Sequence, residues 1–188
     1  MKTEPVRTMD MEEGQTMAAP ISAAAVKALR ERTSAGIMEC RNALEETGGD
    51  TEKAVELLRQ RGIMKAGKKA DREAKQGLVE SYIHGGGRIG VLVELNCETD
   101  FVARTEGFRA LARDIAMQVA AMAPRYVGPD ERPADIDGND PENLALLEQP
   151  FIRDPKKTIG DLVKENIATV GENIVVRRFV RYELGQGE

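Results

Sequence analysis

Residues 88–108 read RIGVLVELNCETDFVARTEGF and change character twice. Ile89, Val91, Val93, Leu95 and Cys97 alternate with other residues, the period of a strand with one buried face. From Phe108 the interval lengthens. Phe108, Leu111, Ile115, Val119 and Met122 make a helical stripe through FRALARDIAMQVAAM, which ends at Pro124. Between strand and helix lies ETDFVAR, with Asp100 beside Phe101 in a chain of only four Phe. Two roles suit it. Either Thr99 or Asp100 caps a turn while Phe101 and Val102 tuck into the core, or acid and ring form an exposed tip aimed at a partner. Spacing leaves both open.

Upstream, GLVESYIH is a second run in the strand period, and the glycines between His84 and Arg88 make the hairpin. HGGGR has the composition of a phosphate cradle. It lacks a Gly-Lys-Ser/Thr ending, however, and joins two strands instead of opening a helix. Downstream, residues 124–157 hold six of the eight prolines and many acids, an ordered excursion at best. Thr158 and Asp161 then open a helix in the manner of a capping box, with Ile159, Leu162, Val163, Ile167 and Val170 as its stripe. Gly171 closes it, and NIVVRRFVRYEL reads as a long last strand. Strands and helices segregate, which predicts an α+β fold with a small antiparallel sheet packed by helices.

The front of the chain is different. Ser22 is placed to cap AAAVKALRER, and TSAG breaks that helix before IMECRNALEET, where Ile37, Cys40 and Leu44 share a face. GGD makes the next turn, with Asp50 capping TEKAVELLRQR; Ala54, Leu57, Leu58 and Arg61 follow at helical spacing, and Gly62 ends the helix. Three such helices share only a small core, as a docking bundle does. MKAGKKADREAK continues as a basic linker helix. The expected organisation is a disordered tail over 1–17, a three-helix docking module over 18–62, a linker helix over 63–76, and an α+β core over 77–188. Met17 is an alternative natural start.

Composition narrows the function. Residues 18–75 carry twelve Lys and Arg against nine Asp and Glu, and residues 76–188 carry thirteen against nineteen. A basic front and an acidic back suit docking on a protein better than coating a nucleic acid. The chain has no Trp and 4% aromatics, too few for base-stacking platforms, so no direct nucleic-acid contact is expected. No apolar run approaches the ~20 residues of a membrane span, and the first residues lack the apolar core of a secretory signal. The expected location is the cytoplasm. Cys40 and Cys97 stand far apart without a neighbouring Cys or His, as packed, reduced thiols do. The one histidine, His84, ends a strand, and no nucleophile–base pair or metal-ligand spacing is visible, so no enzyme chemistry and no cofactor are expected.

LRERTSAGIMECRNALEETGGDTEKAVELLRQRG together with NCETDFVAR resembles the bacterial elongation factor Ts family. QPFIRDPKKT and GENIVVRRFVRYE are similar to later segments of that family. The likeness runs from about Ser22 to Leu184, with Ser34 where the family usually has Gly and Ile37 where it often has Met. One TDFVA core is present, as in the short form that works as a pair of subunits. The resemblance implies a guanine-nucleotide exchange factor for elongation factor Tu in translation elongation and protein biosynthesis. It implies a front module like a ubiquitin-associated domain, docking through Leu29, Arg32, Ala35, Gly36, Ile37 and Met38. Thr99, Asp100, Phe101 and Val102 would dislocate the partner's Mg²⁺, so the chain acts on Mg²⁺ and GDP held by the partner. A homodimer in a two-plus-two complex is implied as well. A polypeptide-binding adaptor without exchange activity is the alternative.

Overall fold

The computed structural model describes residues 21–33 and 35–186. Ser34 and the tail expected over 1–17 lie outside them. The chain forms two compact units, one ending at Val55 and the other running from Glu56 to Glu188.

The first unit is helical. Helix α1 (Ala23–Thr33) is followed by α2 (Ile37–Glu46) and by α3 (Thr51–Gly67), which crosses the boundary between the units. The Ser22 hydroxyl accepts the Ala25 N–H at 3.1 Å, the expected cap. Glu39 reaches back to the Gly36 N–H at 3.3 Å, one arm of a capping box, since glycine has no second arm to give. Asp50 accepts from Glu52 and Lys53 at 3.1 Å each and starts α3. Val26, Leu29, Cys40, Ala43, Leu44 and Ala54 are buried.

Helix α3 does not stop at Gly62. The glycine there is a packing residue, because a Cβ at that position would lie 3.0 Å from the Ala168 Cβ of helix α6 (Ile159–Val170). A mid-helix glycine costs about 1 kcal/mol relative to alanine; here it permits the close approach. The helix expected over 63–76 is likewise corrected. It ends at Gly67, and turns follow with Lys69 N–H on Ala66 O and Arg72 N–H on Lys69 O, both at 2.9 Å.

The second unit has the predicted α+β form. Strands β1 (Gln76–His84), β2 (Ile89–Cys97) and β5 (Ile174–Glu183) make an antiparallel sheet in the order β1-β2-β5. Gly85, Gly86 and Gly87 turn the β1–β2 hairpin with φ of 61°, 67° and 91°, which side chains resist. Inner-face residues Val91, Val93, Leu95, Cys97, Ile174 and Val176 are buried. Helix α5 (Glu106–Met122) packs on β1 and β2, and α6 packs on α5 and β5. Phe108, Leu111, Ile115 and Val119 form the α5 stripe as predicted, whereas Met122 is exposed. Thr158 and Asp161 exchange the two bonds of a capping box at 3.0 and 3.3 Å, and Gly171 closes α6 at φ 80°.

The proline-rich excursion is ordered. It contains single 3₁₀ turns at Pro129–Glu131, Pro141–Asn143 and Leu146–Glu148 and a small hairpin of β3 (Pro150–Phe151) and β4 (Asp154–Thr158). Buried Gln118 on α5 pins it, donating to Gln149 Oε1 at 3.2 Å and Pro150 O at 3.1 Å while accepting from Ile152 N–H at 3.0 Å. Arg132 clasps it from the other side, 2.7 Å from Glu148, and holds that carboxyl below its ordinary value.

Candidate functional site

ETDFVAR leaves β2 as a single turn of helix, α4 (Asp100–Ala103). Phe101 projects from it with 81% of its surface exposed. Its neighbours do not follow: Val102 packs half-buried against the core and Ala103 is buried. The two residues that could both have tucked inward are thus divided. Asp100 beside the ring is half-exposed and pairs with Arg104 at 2.8 Å, an exposed ion pair that contributes little to stability.

Thr99 is fixed on every polar atom. Its hydroxyl donates to Glu172 Oε1 at 2.6 Å and its backbone N–H donates to Glu172 Oε2 at 2.9 Å. Its carbonyl accepts from the Ala103 N–H at 3.3 Å and from the Cys97 thiol at 3.1 Å. Burial, followed by the Glu172 charge, pushes that thiol above its ordinary value, so Cys97 is a packed thiol and no nucleophile. Glu98 accepts the Asn173 N–H at 2.7 Å. Glu172 and Asn173 escaped sequence reasoning because they lie more than seventy residues from the atoms they hold, beyond any periodicity.

The other expected site lies in the first unit. Ile37 and Met38 are 56% and 63% exposed, so Ile37 leaves the stripe it was expected to share with buried Cys40 and Leu44. Gly36 is exposed beside them and Ala35 half-buried. Arg32 is exposed and grips Glu52 through two bonds of 2.8 and 3.1 Å. Leu29, expected on the same surface, is fully buried.

His84 stacks on Tyr82 with centroids 6.0 Å apart, its Nδ1 3.2 Å from the tyrosine hydroxyl. No group of three or more His, Cys, Asp or Glu among the described residues is placed to hold a metal ion, and no described helix is long and apolar enough to cross a membrane.

The Elongation factor TS family model matches residues 12–140. Elongation factor Ts of Desulforamulus reducens is 52% identical over 198 aligned residues, covering 90% of this chain and 91% of that one. The chain belongs to the elongation factor Ts family. Elongation factor Ts of Carboxydothermus hydrogenoformans is 51% identical, covering 89% and 90% of the two chains. That of Coprothermobacter proteolyticus is 49% identical, covering 88% and 99%. The 198-residue alignment is longer than this 188-residue chain, so the Desulforamulus elongation factor Ts holds residues with no counterpart here. Membership carries the role of a guanine-nucleotide exchange factor in translation elongation and implies a partnership with elongation factor Tu.

Proposed function

We propose that the chain engages GDP-bound elongation factor Tu through its front module and opens the partner's Mg²⁺ and phosphate site with the tip at Asp100 and Phe101. Phe101 carries this reading: a large ring held in water at 81% exposure on a backbone fixed at Thr99 and buried at Ala103. A phenyl side chain left exposed forgoes roughly 1.5–3 kcal/mol of burial, which a partner surface can recover. The ring wedges between partner side chains, and Thr99, Asp100 and Val102 accompany it against the elements that hold Mg²⁺. With the cation loosened, the charge on the diphosphate is less neutralised and GDP leaves. No bond is made or broken in this chain, and it needs no cofactor of its own. Whatever it subtracts from the affinity for GDP, GDP subtracts from its own affinity for the partner.

Arg32, Ala35, Gly36, Ile37 and Met38 are the docking surface of a module spanning residues 18–62, and buried Leu29 belongs to that module's core. The core over 77–188 pairs with a second copy. Val79, Ile83, Leu92, Val180 and Tyr182 are exposed on the sheet face turned away from α5 and α6. A self-complementary apolar patch of this kind suits a two-fold pair, giving a two-plus-two complex in the cytoplasm, with no membrane or nucleic-acid partner.

The test is release of a fluorescent GDP from purified elongation factor Tu. Acceleration by substoichiometric amounts of the chain is the expected result. Binding without acceleration would contradict the exchange mechanism and favour the adaptor.

A further inference from the structure

The turn between α6 and β5 reaches the tip from 73 residues downstream. Thr99 stands at the N-cap position of α4, where a threonine hydroxyl ordinarily accepts a first-turn N–H, yet it makes no such bond. Hydroxyl and backbone N–H both donate to the Glu172 carboxylate instead, one to each oxygen, at 2.6 and 2.9 Å. Asn173 takes a second hold, its N–H on Glu98 at 2.7 Å, while its own buried amide is fixed by Ala70 O at 3.1 Å and Arg72 O at 2.8 Å. The Glu172 carboxylate is therefore carried next to an anchored residue. A four-residue helix has one turn and cannot hold its own orientation. Phe101 is so exposed that packing does not fix its ring, whose direction follows from the backbone gripped at Thr99 on one side and buried at Ala103 on the other.

We propose that Glu172 is the positioning residue of the exchange tip: by gripping both donors of Thr99 it fixes the direction in which Phe101 meets the partner. The proposal rests on Phe101 being the acting group. Without the carboxylate the Thr99 end of α4 loosens while Ala103 stays buried, and each encounter must order the ring afresh. That cost falls on the step in which the ring enters the partner. Docking by the front module is untouched. Glutamine can replace the grip, because its amide oxygen accepts the Thr99 N–H and its NH₂ donates to a rotated hydroxyl.

The test titrates each variant against elongation factor Tu and separates the maximal GDP-release rate from the half-saturating concentration. Glu172→Ala is expected to lower the maximal rate about tenfold with half-saturation within about twofold, and Glu172→Gln to restore most of the rate. In a Phe101→Ala background Glu172→Ala is expected to add less than about twofold, since both act through one ring. A folded Glu172→Ala chain with normal maximal rate, beside a slow Phe101→Ala, overturns this proposal alone. An undiminished Glu172→Ala loss in the Phe101→Ala background also overturns it. Normal exchange by Phe101→Ala overturns the tip reading and this proposal with it. Should Glu172→Ala fail to fold, Glu172→Asp decides: it keeps the charge but shortens the reach, and is expected to be several-fold slower. An unchanged rate there counts against the grip.

Discussion

Phe101 and Phe108 carry the same ring into opposite surroundings, the first 81% exposed on α4 and the second fully buried on α5. Phe108→Ala is expected to cost about 3–5 kcal/mol of stability. Phe101→Ala is expected to cost no more than about 0.5 kcal/mol. Urea denaturation of both chains measures the difference, and a large loss in Phe101→Ala would mean that the ring serves the core. Spacing put Phe108 in a helical stripe but left Phe101 open, because a one-turn helix is too short to show a periodicity. The resemblance of ETDFVAR to its family singled out Phe101. Leu29, placed among the docking residues by that resemblance, is fully buried. Asp50 was legible as a cap, and its chemistry gives a pH dependence. The backbone bond from Lys53, ahead of that residue's side chain, holds its carboxyl below the ordinary 3.8. A lowered folded value means that its stabilisation is present above the unfolded value and is lost as pH falls through the folded one. Asp50→Asn keeps the cap but cannot titrate. It is expected to match the natural chain near neutrality and to lose less on acidification, read from thermal melts across the acid range.

Elements with strong periodicity were legible: β1, β2, α5, α6 and β5 fall where alternation and stripes put them. Those that depend on distant contacts were not. Gly62 resembles a helix stop, yet its missing side chain admits Ala168 across the α3–α6 contact. The basic segment after Gly67 has helical composition, but its carbonyls at Ala70 and Arg72 are taken by the Asn173 amide, leaving turns in place of a helix. Strands β3 and β4 are too short and polar to alternate, and a buried glutamine on another element holds the first of them at Pro150 and, just past its end, at Ile152. Gly77 supplies a sharp test of the sheet. At φ 147° a Cβ there would lie 2.1 Å from Leu95 O and 2.8 Å from Asn96 Cα, both backbone atoms of the paired strand. Neither can yield without breaking the β1–β2 ladder, so Gly77→Ala is expected to cost about 2 kcal/mol or more. A chemical melt unchanged by this substitution would contradict the close approach.

In the whole molecule the proposed docking, exchange and pairing fall to different parts of the chain. A chain beginning at Thr51 keeps all of α3 and the second unit, and is expected to fold but lose most of its affinity for elongation factor Tu in a binding titration. The proposed pairing uses the outer sheet face. Leu92→Arg with Val180→Arg places charge on residues already exposed, so the fold is expected to persist while light scattering reports the 20.6 kDa monomer. The natural chain is expected at twice that mass, and a monomer at micromolar concentration with full exchange activity would remove the dimer. The sequence carried the α+β order and the basic front. The unpartnered sheet face had to be seen, because it depends on the register that aligns Leu92 with Ser81 on one side and Val180 on the other. The proposed exchange turns on the Phe101 ring. Its most direct test is the maximal rate of GDP release from elongation factor Tu with Phe101→Ala at saturating concentration. A rate at least about tenfold below the natural chain, with unchanged half-saturation, is the predicted result; a maximal rate equal to that of the natural chain would contradict it.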